Sequence, residues 1–569
     1  MTTANESVSA FRAAETDLTA PAGPFAVTDA VVGGETMRVY RDTPTSFDEV
    51  FAQAVGRFAN DTLFVEDGVS YTYRQVSDAA GVLAGSLVRD HGVADGDRVG
   101  IAMKNRTEFV VSLVAIGRCG GVAVLFNGRE SEAELAGAVA DAACVVIIAD
   151  CDRAAKIRAR DATTDLVVVG ADHELPAAPA RRYDELVVSG EPIAAREVPD
   201  PDSVSWILFT SGTSGRSKGV LLTHRNVCTL VVNLRLIKES NIILNARKYG
   251  MEPDALRGLM PKLSALLIFP LFHTSGLTSL LTTMSAGGFS VIMPRWTVDV
   301  AIELIAEYKL SMLAGPPMVI VDLLAAEPPA EKVGTLINVS PAGQATPPDL
   351  VSRIERVLPN SARAVGWGMT ETTASVSTAG GDLLSTHPET SGPASPVMEV
   401  RVVDAAGEVL AEPVAVGELQ VRGPQVMAGY LNRPDETAAV FDGSWYRTGD
   451  LGYLDAEGLI YVVDRKKDIV ITGGENVYCA EVEFTLLASE QFTEVAVFGV
   501  PDPRQGERVV AAVTVAEGLT LSADDVRDLV RQSLAAYKAP TDVVFDLGPF
   551  PRNATGKILK RKIRENFLS

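Results

Sequence analysis

Ser205-Trp-Ile-Leu-Phe-Thr-Ser-Gly-Thr-Ser-Gly-Arg-Ser-Lys-Gly-Val220 decides how the chain reads. An apolar strand runs straight into Thr210, Ser211, Gly212, Thr213, Ser214 and Gly215. Glycines let backbone N–H groups approach an anion closely, and hydroxyls add donors. Arg216 and Lys218 then supply positive charge. Physically this is a phosphate cradle. It is not the Gly-x-x-x-x-Gly-Lys-Ser/Thr loop, because that spacing is absent. It is not a nucleophile elbow either, since the frame opening at Gly212 lacks the closing glycine.

The surrounding pattern fixes the class. Arg98-Val-Gly-Ile-Ala-Met and Cys144-Val-Val-Ile-Ile-Ala are short apolar runs between helical periodicities. From Ser46 to about Val400 that alternation predicts a parallel-sheet α/β architecture in two subdomains. After Pro396 the texture changes to short strands with turns, such as Gly417-Glu-Leu-Gln-Val-Arg, predicting a β subdomain over about 397–464. A charged cluster follows, Asp464-Arg-Lys-Lys-Asp, and residues 465–569 read as a small α+β domain. Residues 1–45 read as an extended leader. Leu263 to Pro294 carries no charge, but Pro270, Gly276, Gly287 and Gly288 interrupt it, so buried strands and turns are expected rather than a membrane span.

Composition excludes several classes. The 569 residues are too many for one core. A net charge of −22 disfavours nucleic acid and anionic membranes as partners. The 105 residues from Arg465 onward balance at −1, so the acidity lies in the larger part. Cys119, Cys144, Cys151, Cys228 and Cys479 include no C-x-x-C pair. With no signal segment at the N-terminus, a reducing, cytoplasmic location is expected.

Three further motifs carry chemistry. In Gly366-Trp-Gly-Met-Thr-Glu-Thr372, Trp367 offers a flat face to a base and Glu371 a carboxylate to Mg²⁺. In Tyr446-Arg-Thr-Gly-Asp450, a carboxylate at a strand end suits paired hydroxyls. In Pro551-Arg-Asn-Ala-Thr-Gly-Lys557, a lysine sits in a polar loop before the basic Ile558-Leu-Lys-Arg-Lys-Ile-Arg. Their order, with Thr223-His-Arg-Asn, Pro270-Leu-Phe-His, Gly417-Glu-Leu-Gln-Val-Arg-Gly-Pro-Gln-Val-Met-Ala-Gly-Tyr-Leu-Asn and Asp464-Arg-Lys-Lys-Asp-Ile-Val-Ile-Thr-Gly-Gly-Glu-Asn-Val, resembles the adenylate-forming superfamily of acyl-CoA synthetases, peptide-synthetase adenylation domains and beetle luciferases.

The resemblance runs from about Ser46 to Ile563. It implies a carboxylic acid joined to AMP with release of pyrophosphate, then passed to a thiol, with ATP, Mg²⁺ and CoA as cofactors. It implies that Thr210 to Lys218 grip the β- and γ-phosphates and that Trp367 flanks adenine beside Gly343 and Gln344. Thr370 would touch the α-phosphate, Glu371 would bind Mg²⁺, and Asp450 and Arg465 would hold the ribose. Lys557 would bridge the substrate carboxylate and the α-phosphate. Asp464 matches the hinge about which a mobile C-terminal domain exchanges Lys557 for Gly473 and Gly474, whose small size would pass a pantetheine arm.

His273 would border the carboxylate and gate the thiol tunnel. Amino-acid-activating relatives carry an Asp after the aromatic residue where this chain has His273, so an amino-acid substrate is not expected, and the apolar Leu277, Leu280, Leu281 and Met284 point to a hydrophobic acid, aliphatic, alicyclic or aryl. The acceptor is CoA or, as the alternative, a separate carrier protein, and Lys560-Arg-Lys-Ile-Arg suits the phosphates of one or the acidity of the other. Departures from the pattern are Ala342-Gly-Gln-Ala where Gly-Gly-Ala-Pro is usual, Trp367 in place of Tyr, and Arg216-Ser217 in place of Lys-Pro. The stretch between Asn226 and Pro270 is long, and is expected to form a lid, a pocket wall or an oligomer contact.

Overall fold

The computed structural model describes residues 4–170, 179–189, 191–193, 198–210, 217–342, 348–359, 361–489, 491–545, 547–553 and 556–568. Two eight-stranded sheets form its body. The first contains Arg98–Ala102, Val122–Leu125, Val146–Asp150 and Leu166–Val169, whose apolar runs are buried on both faces as parallel strands require. Val204–Thr210 joins it in parallel, and Lys218–Thr223 returns antiparallel beside it. The second sheet has Ser264–Leu267, Phe289–Ile292, Met312–Gly315, Asn338–Pro341 and Ala362–Trp367 as its parallel run. The expected α/β class is therefore the one found, and the uncharged stretch Leu263 to Pro294 is two strands about the helix Thr274–Ser285. Among the described residues no helix is long and apolar enough to cross a membrane.

A five-stranded sheet follows, built from Glu399–Val403, Gly417–Arg422, Phe441–Asp442, Trp445–Leu454 and Ile460–Arg465. A last five-stranded sheet spans Ile469–Thr472 to Asp542–Phe545, covered by the helices Cys479–Leu487, Ala523–Ser533 and Lys560–Leu568. This small unit has its own apolar clusters, centred on Val470, Val497 and Val526 and on Ala496, Phe498 and Ile563.

The strand ends place the motifs. Thr210, Pro341 and Trp367 each close the carboxyl end of a strand, where open α/β sheets bind ligands. The Thr223-His-Arg-Asn stretch is a buried capping box: the Thr223 hydroxyl accepts the Asn226 N–H at 3.1 Å, and Asn226 Oδ1 accepts the Thr223 N–H at 2.8 Å. The Asn226 amide also donates to the Pro424 and Val426 carbonyls, which pins the β subdomain to the first sheet.

One expectation is corrected. The extended leader expected for residues 1–45 is, where described, the helix Ala4–Thr19 and the hairpin Val27–Val32/Glu35–Tyr40. Val8, Phe11, Ala14 and Leu18 recur at helical spacing, and their partners lie far along the chain: Val8 packs with Leu383 and Leu384, and Leu18 with Val232 and Leu236. Gly33 and Gly34, at φ 60° and 86°, make the two-residue turn of the hairpin. The long stretch after Asn226 is largely helical. It prolongs the helix His224–Tyr249 to 26 residues, stopped by Gly250 in the left-handed region, and this helix packs on the N-terminal one.

Leu18 is 8% exposed. Leu18→Ala is expected to destabilise the fold by about 2–4 kcal/mol, read as an earlier urea midpoint, since the helix cannot close the gap left behind. An unchanged midpoint would show that the N-terminal helix adds nothing to the body.

Candidate active site

Asp450 is the centre of the cluster. It lies in the long strand Trp445–Leu454, directly across from Arg465, and is 2% exposed. One carboxylate oxygen meets the Arg465 guanidinium at 2.5 Å, and the other accepts the Trp367 indole N–H at 2.8 Å. Burial pushes the Asp450 carboxyl above its ordinary range, while Arg465, the Trp367 hydrogen bond and Lys557 pull it back. Lys557, from the C-terminal unit, is near enough for its charge to act on Asp450. Its side chain stays open to solvent, but crowding, Arg465 and Lys467 hold its ammonium below the usual lysine range. The Asn553 side chain fixes the backbone of this loop by accepting the Lys557 backbone N–H at 2.9 Å.

Trp367, 83 residues from Asp450, opens a tightly folded segment. A Cβ on Gly368 would lie 1.7 Å from the Ala374 carbonyl oxygen, so only glycine fits that approach. Thr370–Thr372 form a single 3-10 turn, and Thr373 and Ala374 then take φ of 52° and 86°. A β-branched residue there is strained, and the Thr373 hydroxyl holds it by donating to the Gln425 carbonyl at 2.7 Å. Thr370 is buried, whereas Glu371 is half-buried. The Glu371 backbone oxygen accepts the Met427 N–H, and its Oε1 accepts the Tyr430 hydroxyl at 3.0 Å. Its second oxygen is the one suited to a hard cation, with phosphate and water completing the shell. Glu371 thus fits Mg²⁺ as a single-carboxylate ligand.

Tyr430 also carries the link to the phosphate cradle. It pairs with Val220 at the sheet edge, and the Lys218 ammonium sits 4.9 Å from its ring centroid. Lys218 forms an ion pair with Glu436. Thr210 and Lys218 face each other across their strands, and the Thr210 hydroxyl donates to the Lys218 carbonyl at 3.5 Å. Ser211, Gly212, Thr213, Ser214 and Gly215 between them lie outside the described residues, as do Gly343 and Gln344.

His273 sits at the start of the helix Thr274–Ser285, and its Nδ1 accepts the Ser275 N–H at 3.2 Å. It is therefore a helix cap as well as a pocket candidate, with its proton on Nε2. Asn105 clamps the same segment, donating to the Phe269 carbonyl and accepting from the Leu271 N–H, each at 2.8 Å. Burial lowers the His273 pKa to about 4. Asp464 accepts the Arg465 N–H and the Ala480 N–H, so it caps the helix Cys479–Leu487 from the last strand of the body.

Gly473 and Gly474, at φ 59° and 88°, form an exposed two-residue turn. Lys560 is not free for phosphates, since it pairs with Glu483 at 2.7 Å. Tyr430 and Glu436 went unassigned from sequence, although Tyr430 lies within a quoted motif.

The profile of the AMP-binding enzyme family matches residues 51–431, and that of the AMP-binding enzyme C-terminal domain matches 481–557. The chain belongs to this family. Relatives of this AMP-binding enzyme include a feruloyl-CoA synthase of Amycolatopsis, 32% identical over 88% of this chain and 94% of the relative. Another is the 3-[(3aS,4S,7aS)-7a-methyl-1,5-dioxo-octahydro-1H-inden-4-yl]propanoyl:CoA ligase of Rhodococcus jostii, 31% identical over 92% of this chain and 99% of the relative. Among solved structures, ATP-bound MatB from Rhodopseudomonas palustris matches with a TM-score of 0.80 at 27% identity, covering 91% of this chain and 99% of that one. The o-succinylbenzoate CoA synthetase of Bacillus subtilis in complex with its acyl-adenylate intermediate matches at 0.76 and 27%, covering 90% and 97%.

His273 generates a pH prediction. Its folded pKa of about 4 lies below the ordinary 6.5, so between these values the unfolded chain binds more protons. Its stability contribution is complete above 6.5 and is lost as pH falls toward 4. His273→Asn keeps a capping oxygen and removes the titration. The variant is expected to lose less stability than the parent between pH 7 and pH 5, by on the order of 1 kcal/mol in parallel urea melts. Equal losses would show that this histidine is not held neutral by the fold.

Proposed function

We propose that the chain activates a hydrophobic carboxylic acid with ATP and passes the acyl group to CoA. The observation that carries this reading is the buried Asp450 joined to Arg465 and Trp367, within reach of the charge of Lys557 from the small unit. In the first step a carboxylate oxygen attacks the α-phosphorus and pyrophosphate leaves. Two anions approach each other, and a fixed ammonium between them offsets the repulsion where it grows fastest. Lys557 has that role here, with Thr370 beside the α-phosphate. Mg²⁺, held by Glu371 when bound, offsets charge on the departing phosphates. Thr210 to Lys218 hold those phosphates, Trp367 with Gly343 and Gln344 borders adenine, and Asp450 with Arg465 takes the ribose hydroxyls.

In the second step the CoA thiol attacks the acyl carbonyl and AMP leaves with the electron pair. Residues 46–464 act as the AMP-binding body and 465–569 as a lid turning at Asp464, which brings Gly473 and Gly474 to the pantetheine and takes Lys557 away. The joint is polar and supports such a turn: besides Asp464 it holds Arg465 on Asp450 and Lys466 on Glu418 at 2.9 Å. The relatives are named for feruloyl, indenyl-propanoyl, 2-succinylbenzoate and long-chain fatty acyl groups, which supports a hydrophobic acid here. A carrier-protein thiol is the alternative acceptor, and five free cysteines suit a cytoplasmic setting.

Lys557→Ala is expected to slow acid-dependent ATP–pyrophosphate exchange by about 10²–10³-fold, with ATP affinity nearly unchanged. Exchange near the parental rate removes Lys557 from the reaction. Running the same acids with free CoA, and then with a phosphopantetheinyl protein, identifies the acceptor by where the thioester forms.

A further inference from the structure

The N-terminal hairpin takes no part in the chemistry above, yet a buried chain of hydrogen bonds runs from it to the segment that carries Glu371. Tyr40 ends the strand Glu35–Tyr40 and packs in the apolar cluster of Leu18, Val232 and Leu236. Its hydroxyl donates to Asn233 Oδ1 on the helix His224–Tyr249. The Asn233 amide nitrogen donates to Gln425 Oε1, and to the Ser395 hydroxyl at 3.3 Å. The Gln425 amide nitrogen donates in turn to the Ser375 carbonyl at 3.4 Å. Tyr40, Asn233 and Gln425 are 3%, 3% and 0% exposed, so each depends on its protein partners.

The direction of this chain is fixed from its far end. A backbone carbonyl only accepts, so Ser375 must face the Gln425 nitrogen. That leaves the Gln425 oxygen for Asn233, the Asn233 nitrogen for Gln425 and the Asn233 oxygen for Tyr40. Tyr40 must therefore donate. Burial and the nearby Glu15 carboxylate keep its hydroxyl protonated, with a pKa above the ordinary tyrosine range. A single hydroxyl thus orients two buried amides.

Gln425 sits where that order matters. Its amide holds Ser375, and its backbone carbonyl accepts the Thr373 hydroxyl at 2.7 Å. Met427, next but one along the chain, donates its N–H to the Glu371 carbonyl at 2.8 Å. Glu371, Thr373 and Ser375 are thus tied to one short strip, across the left-handed Thr373 and Ala374. Asn226, about two turns before Asn233 on its helix, grips the same strip through the Pro424 and Val426 carbonyls.

We propose that Tyr40, Asn233 and Gln425 are positioning residues that together aim the Glu371 carboxylate, so that the N-terminal hairpin sets how tightly the site takes Mg²⁺ with ATP. The inference rests on the reading of Glu371 as the metal ligand. Groups that orient a metal-holding carboxylate from behind change metal affinity without touching the ion.

The test uses the full chain and needs no acid substrate. Calorimetry gives ATP affinity in EDTA and over a series of free Mg²⁺ concentrations, and urea melts give stability. Tyr40→Phe removes only the hydroxyl. Asn233→Asp keeps the acceptor for Tyr40 and loses the donor for Gln425. Each is expected to raise the Mg²⁺ concentration that gives half of the gain in ATP affinity by about three- to tenfold, with affinity in EDTA unchanged. Leu18→Ala loosens the same apolar cluster but leaves the chain of bonds intact. It is expected to lower the urea midpoint and leave the Mg²⁺ dependence alone. A parental Mg²⁺ dependence in either Tyr40→Phe or Asn233→Asp, or an equal shift in Leu18→Ala, overturns the inference. Should Asn233→Asp not fold, Tyr40→Phe, which keeps the shape of the side chain, decides. Glu371→Gln separates this inference from the reading beneath it. If Glu371→Gln shifts the Mg²⁺ dependence and the positioning variants do not, this inference falls alone. A parental dependence in Glu371→Gln removes the metal reading and this inference with it.

Discussion

A carboxylate removed from water must be neutralised by neighbours, and Asp450 meets that demand with residues from three distant parts of the chain. A buried ion left without partners costs several kcal/mol. Trp367 comes from the end of a strand in the second sheet, and Arg465 from the last strand of the β subdomain. Lys557 arrives from the small C-terminal unit. The site is therefore also the junction between the parts of the molecule. Arg465 follows immediately on Asp464, so the residue that pairs with Asp450 adjoins the one that caps the first helix of the small unit. Any change in how the two units sit alters the field at Asp450 and Lys557 together.

The segment from Gly366 to Ala374 adds a second constraint. Its close packing at Gly368 and its left-handed Thr373 and Ala374 cost conformational energy, which the bonds to Gln425 and Met427 offset. Those bonds join the strand end of one sheet to the β subdomain beside the other. Glu371 is thereby aimed by the backbone on both sides and by Tyr430 at its side chain. Lys218 lies over the other face of this arrangement through the same tyrosine. One aromatic residue thus spaces a cation and an anion that would otherwise attract and close on each other.

Local signals were legible and distant pairings were not. Apolar runs such as Arg98 to Met103 and Cys144 to Ala149 announced strands because both faces of a parallel sheet are buried. The motif order announced the family. The N-terminal helix was missed because its stripe is short, and its partners, Val232, Leu236 and Leu383, lie more than two hundred residues away. The indole bond from Trp367 to Asp450 spans two motifs that sequence presents separately. Lys560 read as part of a solvated basic run, but Glu483, from another helix, claims it. His273 carried a pocket role by resemblance, while its capping bond depends on where a helix begins.

The small C-terminal unit keeps its oily interior to itself. Among the described residues, its apolar clusters draw on Val470 onward and share no member with those of the body. What crosses the seam is polar: the Ala480 N–H donates to the Asp464 carboxylate, and Lys466 pairs with Glu418. Bonds of that kind are directional, so they break and re-form as units when the border shifts, whereas an apolar seam would have to be uncovered to water. The two parts of this polypeptide can thus change their border without either of them opening its interior.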